Sequence, residues 1–196
     1  MTKDEFLLHF NLQAPVDSIH NYHHHKPLKS AAVLIGLIDE GDGLHVLFTK
    51  RASHLRHHAS QISFPGGKAE PDDTSLTCTA LREAQEEIGL SSKAVTVIGQ
   101  LDPYQVISGY HVTPIVAFIE KDQPYKKDDN EVAEIFQVPL QYFLADEHHH
   151  IIVASRNGQK HNIHFMPYKS YNIWGATASM LKDLVNHITP ITPSLF

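Results

Sequence analysis

Apolar positions along the chain fall into short strand-length runs on either side of one helical repeat, and a second helical repeat closes the sequence. Residues 31–38 and 44–50 are apolar runs separated by Asp39-Glu40-Gly41-Asp42-Gly43, a turn composition that predicts a hairpin. Upstream, residues 4–12 have helical spacing, followed by a Pro- and His-containing connector that ends near Lys29. Downstream, a short extended piece at 61–64 is ended by Pro65-Gly66-Gly67, and residues 68–74 read as a polar loop. Residues 75–88 predict a helix, with Gly89 where a C-cap glycine belongs. Further strands are expected at 95–101, 104–107, 112–119 and 131–138, and a helical turn at 139–144. A second hairpin is expected over 151–166 around Asn157-Gly158, a pair suited to the type I′ turn. Residues 173–188 read as a closing amphipathic helix. Strands on both sides of a central helix imply an α/β fold in which helices cover a mixed sheet.

The 196 residues suit one domain, expected as an N-terminal helix and connector over 1–30, the main domain over 31–188 and a tail over 189–196. With 42% hydrophobic and 19% charged residues the chain belongs with globular proteins that form a core. A net charge of −6 without a basic stripe argues against nucleic acid as a partner. The N-terminus lacks a signal-peptide pattern and no apolar run approaches the ~20 residues of a membrane helix, so the expectation is a cytoplasmic protein without a membrane partner. Cys78 stands alone, which excludes an intrachain disulfide and a Cys-based zinc framework; it reads as a small helix residue. The tracts His23-His24-His25 and His148-His149-His150 read as polar loop residues, and Trp174 as core packing.

The candidate chemistry lies in Gly66 to Asp73 and Leu81 to Leu90. At about 100° per residue, Glu83, Glu86 and Glu87 fall on one helical face while Leu81, Ala84 and Ile88 fall on another. Like charges at such spacing repel by a few tenths of a kcal/mol per pair. A cation removes that penalty, and clustered carboxylates are hard oxygen ligands suited to Mg²⁺ or Mn²⁺, ions that also bind diphosphate oxygens. Arg82 lies one turn before Glu86 and could fix the orientation of that carboxylate. Gly67, lacking a side chain, could let its carbonyl approach the ion. With each specified residue type at typical usage, Arg-Glu-x-x-Glu-Glu-x-Gly arises by chance on the order of once per million start positions.

This stretch resembles the Nudix box, whose second half is matched from Arg82 to Leu90 with Ala84 in place of a larger aliphatic residue. Fifteen positions separate Gly67 from Arg82, one more than the general box allows, and the acid position counted back from Arg82 falls on Thr74. The CoA pyrophosphatase branch of the family carries such an insertion, and Asp73 or Asp72 would then fill the acid position. The same branch is resembled by Leu47-Phe48-Thr49-Lys50-Arg51, by Leu55 to Gln61 and by Phe64-Pro65-Gly66-Gly67, with Ser60 where the branch has Gly. Glu131 to Leu140 and Ile173 to Ala178 extend the likeness over most of residues 31–188.

The resemblance implies a Nudix-type α/β/α sandwich and a hydrolase that cleaves the diphosphate of CoA or acyl-CoA to 3′,5′-ADP and the corresponding 4′-phosphopantetheine. It implies Mg²⁺ or Mn²⁺ held by Gly67, Glu83, Glu86 and Glu87, and catalytic roles for Arg82, Glu86, Glu87 and Glu131, with Glu87 or Glu131 as the base. Lys50, Arg51, Arg56 and Lys68 are the candidates for phosphate contact. ADP-ribose, another nucleoside diphosphate derivative or a nucleoside triphosphate is the alternative substrate, a nucleotide-sensing module the non-catalytic alternative, and a homodimer the assembly to test. Extra atoms at Ser60 could alter how the CoA moiety sits.

Overall fold

The computed structural model describes residues 1–12, 27–156 and 159–189. The His23-His24-His25 tract, the Asn157-Gly158 turn and the segment 190–196 lie outside them.

Strands β1 (Lys29–Asp39) and β2 (Leu44–Arg51) form the expected antiparallel hairpin, with Asp39 opposite Leu44. The turn is closed by the Glu40 N–H on the Gly43 carbonyl, and the Asp39 carboxylate accepts from the Gly41 N–H. On its other edge β1 runs parallel to β7 (Tyr110–Ile119), which makes the sheet mixed. The order β3-β2-β1-β7-β5 is completed by β4 on β1, β6 on β7 and β8 on β2. Here β3 is Ile62–Ser63, β4 Gly66–Lys68, β5 Val95–Gln100, β6 Tyr104–Val106 and β8 Val132–Pro139.

The near-continuous apolar run of β1 reflects burial on both faces. Ala32, Leu34 and Ile38 pack with Ala80, Ala84 and Ile88 of helix α2 (Leu76–Ile88), whereas Ile35 and Leu37 share the opposite core with Phe6 of α1 (Lys3–Leu12) and Leu181 of α4 (Ala176–Ile188). Helices therefore cover both faces of the mixed sheet, and the short α3 (Leu140–Leu144) follows Pro139. Ser75 caps α2 by accepting from the Cys78 N–H at 3.1 Å, a contact worth about 0.5–2 kcal/mol. Gly89 ends the helix in the left-handed conformation at φ 69°, donating to Ala84 and Gln85 carbonyls. Among the described residues no helix is long and apolar enough to cross a membrane.

Several expectations are corrected. The loop expected from residue 68 begins one residue later: Gly66–Lys68 is strand β4 against β1, where the absence of side chains on Gly66 and Gly67 lets the two backbones meet. A Cβ on Gly66 would lie 2.4 Å from the Ala32 carbonyl oxygen. The closing helix begins at Ala176 rather than at 173; Tyr171–Trp174 is instead strand β11, ended by Gly175 at φ 62°. With β9 (His150–Arg156) and β10 (Gln159–Tyr168), β11 builds a second sheet of order β11-β10-β9. Trp174 is 38% exposed and stacks on Phe165, so it is not a core residue. The second His tract is packed: His148 stacks on Tyr142, and His149 Nε2 lies 2.7 Å from Nδ1 of buried His164.

Ser60 is exposed and adopts φ 60°, a conformation that favours glycine. Its side chain does not line the cavity described below, so the departure from the branch pattern acts on the backbone. Ser60→Gly is expected to stabilise the fold by about 0.5–1 kcal/mol, raising Tm by about 1–3 °C in a thermal melt without a change in KM.

Candidate functional site

Helix α2 packs against β4, and that contact places Glu83 and Glu87. The Gly66 N–H donates to Glu87 Oε2 at 3.3 Å. The Glu83 carboxylate rests against Gly67, where a Cβ would lie 2.5 Å from Glu83 Cδ. The expectation of three carboxylates sharing one exposed face is corrected by burial: Glu87 is 3% exposed, while the side chains of Glu83 and Glu86 are 17% and 59% exposed. Angular position on the helix sets their direction, but β4 decides which of them water reaches.

Arg82 ties the site together. Its Nη1 donates to Glu83 Oε1 and Glu86 Oε2, each at 3.0 Å, and its Nη2 donates to the Lys68 carbonyl at 3.1 Å. Nε and Nη2 form a fork on the two oxygens of Asp73, both at 3.1 Å. Asp73, and not Asp72 or Thr74, is therefore the acid that meets the helix. The Arg82 hydrogen bond, helped by the Glu70 N–H and the Thr79 hydroxyl, holds the Asp73 carboxyl well below the usual carboxylate range. Asp73→Asn removes the anionic half of the fork and frees Arg82 to turn. Hydrolytic kcat is expected to fall about tenfold or more with KM little changed, as for loss of an outer partner of a ligand set. Steady-state kinetics would show it, and an unchanged kcat would contradict it.

Burial pushes the Glu87 carboxyl up to about 8, opposed by Arg51 and the Gly66 N–H and reinforced by Glu131 and Glu83. Glu83 is also raised by burial, with Arg82 opposing and Glu86 and Glu131 adding to the rise. Glu131 is exposed just before β8 and acts on the same cluster through space. Among the described residues, the carboxylates of Asp73, Glu83, Glu86, Glu87 and Glu131 thus share a region with the guanidinium groups of Arg51 and Arg82. Among the described residues no three His, Cys, Asp or Glu side chains converge as a ready chelate, because Arg82 holds Glu83 and Glu86. The donor chemistry still fits a hard divalent cation: the oxygens are carboxylate and carbonyl, Gly67 leaves room beside Glu83, and exposed Glu86 can rotate without disturbing the core.

A cavity of about 720 Å³ opens beside this cluster. Arg51, Gly66, Gly67 and Lys68 contribute to its lining. Arg51 Nη1 lies 3.8 Å from Glu87 Oε1, and its buried Nε has no hydrogen-bond partner among the described residues. Lys50 and Arg56 do not line the cavity that Arg51 and Lys68 line. Lys50 neighbours Arg51 on a strand, where successive side chains point to opposite faces, and Arg56 is exposed on the segment after β2. The charge-based search missed His58, Gln61 and Trp174, which do line it. The run Leu55 to Gln61 carried a signal for the first two, whereas Trp174 carried none as long as 173–188 was read as helix.

A sequence model of the family described as NUDIX domain matches residues 27–166. Proteins named uncharacterized Nudix hydrolase NudL from Yersinia pestis (strain Pestoides F) and Yersinia pseudotuberculosis serotype O:1b (strain IP 31758) are each 41% identical over 188 residues, covering 94% of this chain and 94% of theirs. Among solved structures, the MutT protein from Methanosarcina mazei Go1 is similar at 25% identity and a TM-score of 0.48, over 62% of this chain and 84% of that one.

Proposed function

This chain belongs to the Nudix domain family, and from that premise we propose that it hydrolyses the diphosphate of CoA or acyl-CoA to 3′,5′-ADP and (acyl-)4′-phosphopantetheine. Nudix hydrolases act on small diphosphate compounds with divalent metal ions, and the chain is a pyrophosphohydrolase of that kind. The observation that carries the CoA reading is the run from Leu47 to Gly67, which resembles the CoA branch and whose Arg51, His58, Gln61 and Gly66 all line one cavity.

Glu83, Glu86, Glu87 and the Gly67 carbonyl would hold Mg²⁺ or Mn²⁺, which when bound neutralises diphosphate charge and lowers the pKa of water. Arg82 orients Glu83 and Glu86, and Asp73 fixes Arg82. Arg51 and Lys68, which both line the cavity, take the diphosphate oxygens. Glu87, accepting from the Gly66 N–H beside the cavity, and Glu131 are the two carboxylates proposed to accept the proton of the attacking water. The water oxygen bonds to one phosphorus, the bridging P–O bond breaks, and the bridging oxygen leaves on the other phosphate. The proposed setting is the cytoplasm, where Cys78 remains a free thiol.

The substrate test is a comparison of kcat/KM for CoA, acetyl-CoA, ADP-ribose, NADH and dGTP with Mg²⁺ or Mn²⁺. Preference for CoA and acetyl-CoA, with 3′,5′-ADP released, supports the proposal. Preference for ADP-ribose, NADH or dGTP keeps the hydrolase chemistry and overturns the CoA reading.

A further inference from the structure

The cavity has two chemically different parts. Among the described residues that line it, Arg51 and Lys68 are the only side chains of fixed charge, and they accompany Gly66 and Gly67 beside the carboxylate cluster. The remainder is walled largely by uncharged side chains, among them Val106, Ile107, Ile163, Trp174 and Met180, drawn from β6 and the turn after it, β10, β11 and α4. Trp174 and Ile107 are 38% and 51% exposed, although both are large apolar groups. An apolar group left open beside a charged anchor is a contact surface for a ligand that is charged at one end and uncharged at the other.

Part of the wall comes from beyond the matched segment. The family match ends at residue 166, while Trp174 and Met180 follow it. β11 reaches the cavity because β10 carries it beside β3, and Thr177 fastens α4 there by donating to the Ile62 carbonyl at 3.0 Å. The segment beyond the match thus adds Trp174 and Met180 to a wall whose Val106, Ile107 and Ile163 lie within it.

We infer that Trp174 and Ile107 contact the acyl group carried at the end of the pantetheine arm and set a preference for longer acyl chains. This rests on the CoA reading above. The indole face, held by the Phe165 stack at 6.0 Å between centroids, offers a flat apolar surface, and Ile107 borders the cavity from the turn between β6 and β7.

The experiment measures kcat/KM for CoA, acetyl-, butyryl- and hexanoyl-CoA with the full chain, its Trp174→Ala variant and its Ile107→Ser variant. In the unsubstituted protein kcat/KM is expected to rise about twofold to fourfold per added methylene, mostly through KM. Each variant should flatten that rise while hydrolysing CoA itself with kcat changed less than about threefold, since the diphosphate end is untouched. Ile107→Ser alters an exposed turn residue and so keeps the test sound should Trp174→Ala fold poorly. A rise preserved in the variants, a flat series in the unsubstituted protein, or an equal loss for every chain length would each overturn the inference while leaving the CoA reading in place. Absence of CoA and acyl-CoA turnover by the unsubstituted protein would overturn that reading, and this inference with it.

Discussion

Glu87→Gln is expected to abolish CoA hydrolysis, by at least about a hundredfold, and yet to make the metal-free protein more stable at pH 8. The activity loss follows because even outer partners of a metal ligand cost about 10–100-fold when removed, and Glu87 is proposed as a direct ligand. The stability gain follows from its burial. With the folded carboxyl at about 8 and an ordinary value of 4.5, the folded protein binds more protons than the unfolded chain between those limits. Stability contributed by this group therefore declines as pH rises from about 4.5 to about 8, on the order of a few kcal/mol at most. Glutamine is neutral and lacks that decline, although the partly buried Arg51 guanidinium then loses its nearby anion and part of the gain with it. Urea denaturation in EDTA at pH 5 and pH 8 is the measurement. Parallel pH dependence in both proteins would contradict the burial argument.

Gly67→Ala is expected to fold normally and lose about a hundredfold in kcat. The added Cβ would sit 2.5 Å from the Glu83 carboxylate, so that carboxylate must leave the position set by Arg82. What yields is the end of a flexible side chain, which spares the fold, but a displacement of about 1 Å at a reacting centre costs about 10²-fold. Gly66→Ala offers the contrast. Its Cβ would meet the Ala32 carbonyl oxygen and Val33 Cα at 2.4 and 2.6 Å, both backbone atoms, so this variant should lose stability as well as activity. Circular dichroism melts beside steady-state rates separate the two cases; a fully active Gly67→Ala enzyme would remove the reason given for glycine there.

Those two glycines also mark where the sequence was hard to read. Helix α2 was legible because Ser75, Gly89 and the spacing of Ala80, Ala84 and Ile88 all carry local signals of a capped, one-sided helix. The β1–β2 hairpin was legible for a similar reason, a turn composition between apolar runs. Strand β4 was not, since glycine carries no apolar pattern and its pairing is fixed by what it allows to approach. The helical period placed Glu83, Glu86 and Glu87 correctly in angle, but the burial that separates Glu87 from Glu86 depends on a distant strand. Counting back from Arg82 gave Thr74, whereas the guanidinium selects Asp73 through a bent loop that counting does not describe. Alternation along β2 could have separated Lys50 from Arg51, because neighbouring strand residues face opposite ways. β11 was hidden because 171–174 is short and merges with the apolar spacing of the helix after Gly175.

The most direct test of the proposed metal-carboxylate hydrolase is to incubate CoA with Mg²⁺ or Mn²⁺ and either the unsubstituted protein or Glu86→Gln, and to identify the products by mass. The expected result is equal amounts of 3′,5′-ADP and 4′-phosphopantetheine from the unsubstituted protein. That release should be lost with EDTA, and lost in a Glu86→Gln protein that is still folded, because the 59% exposed Glu86 side chain contributes little to the core. Full turnover by the folded variant, or turnover that persists in EDTA, would contradict the account.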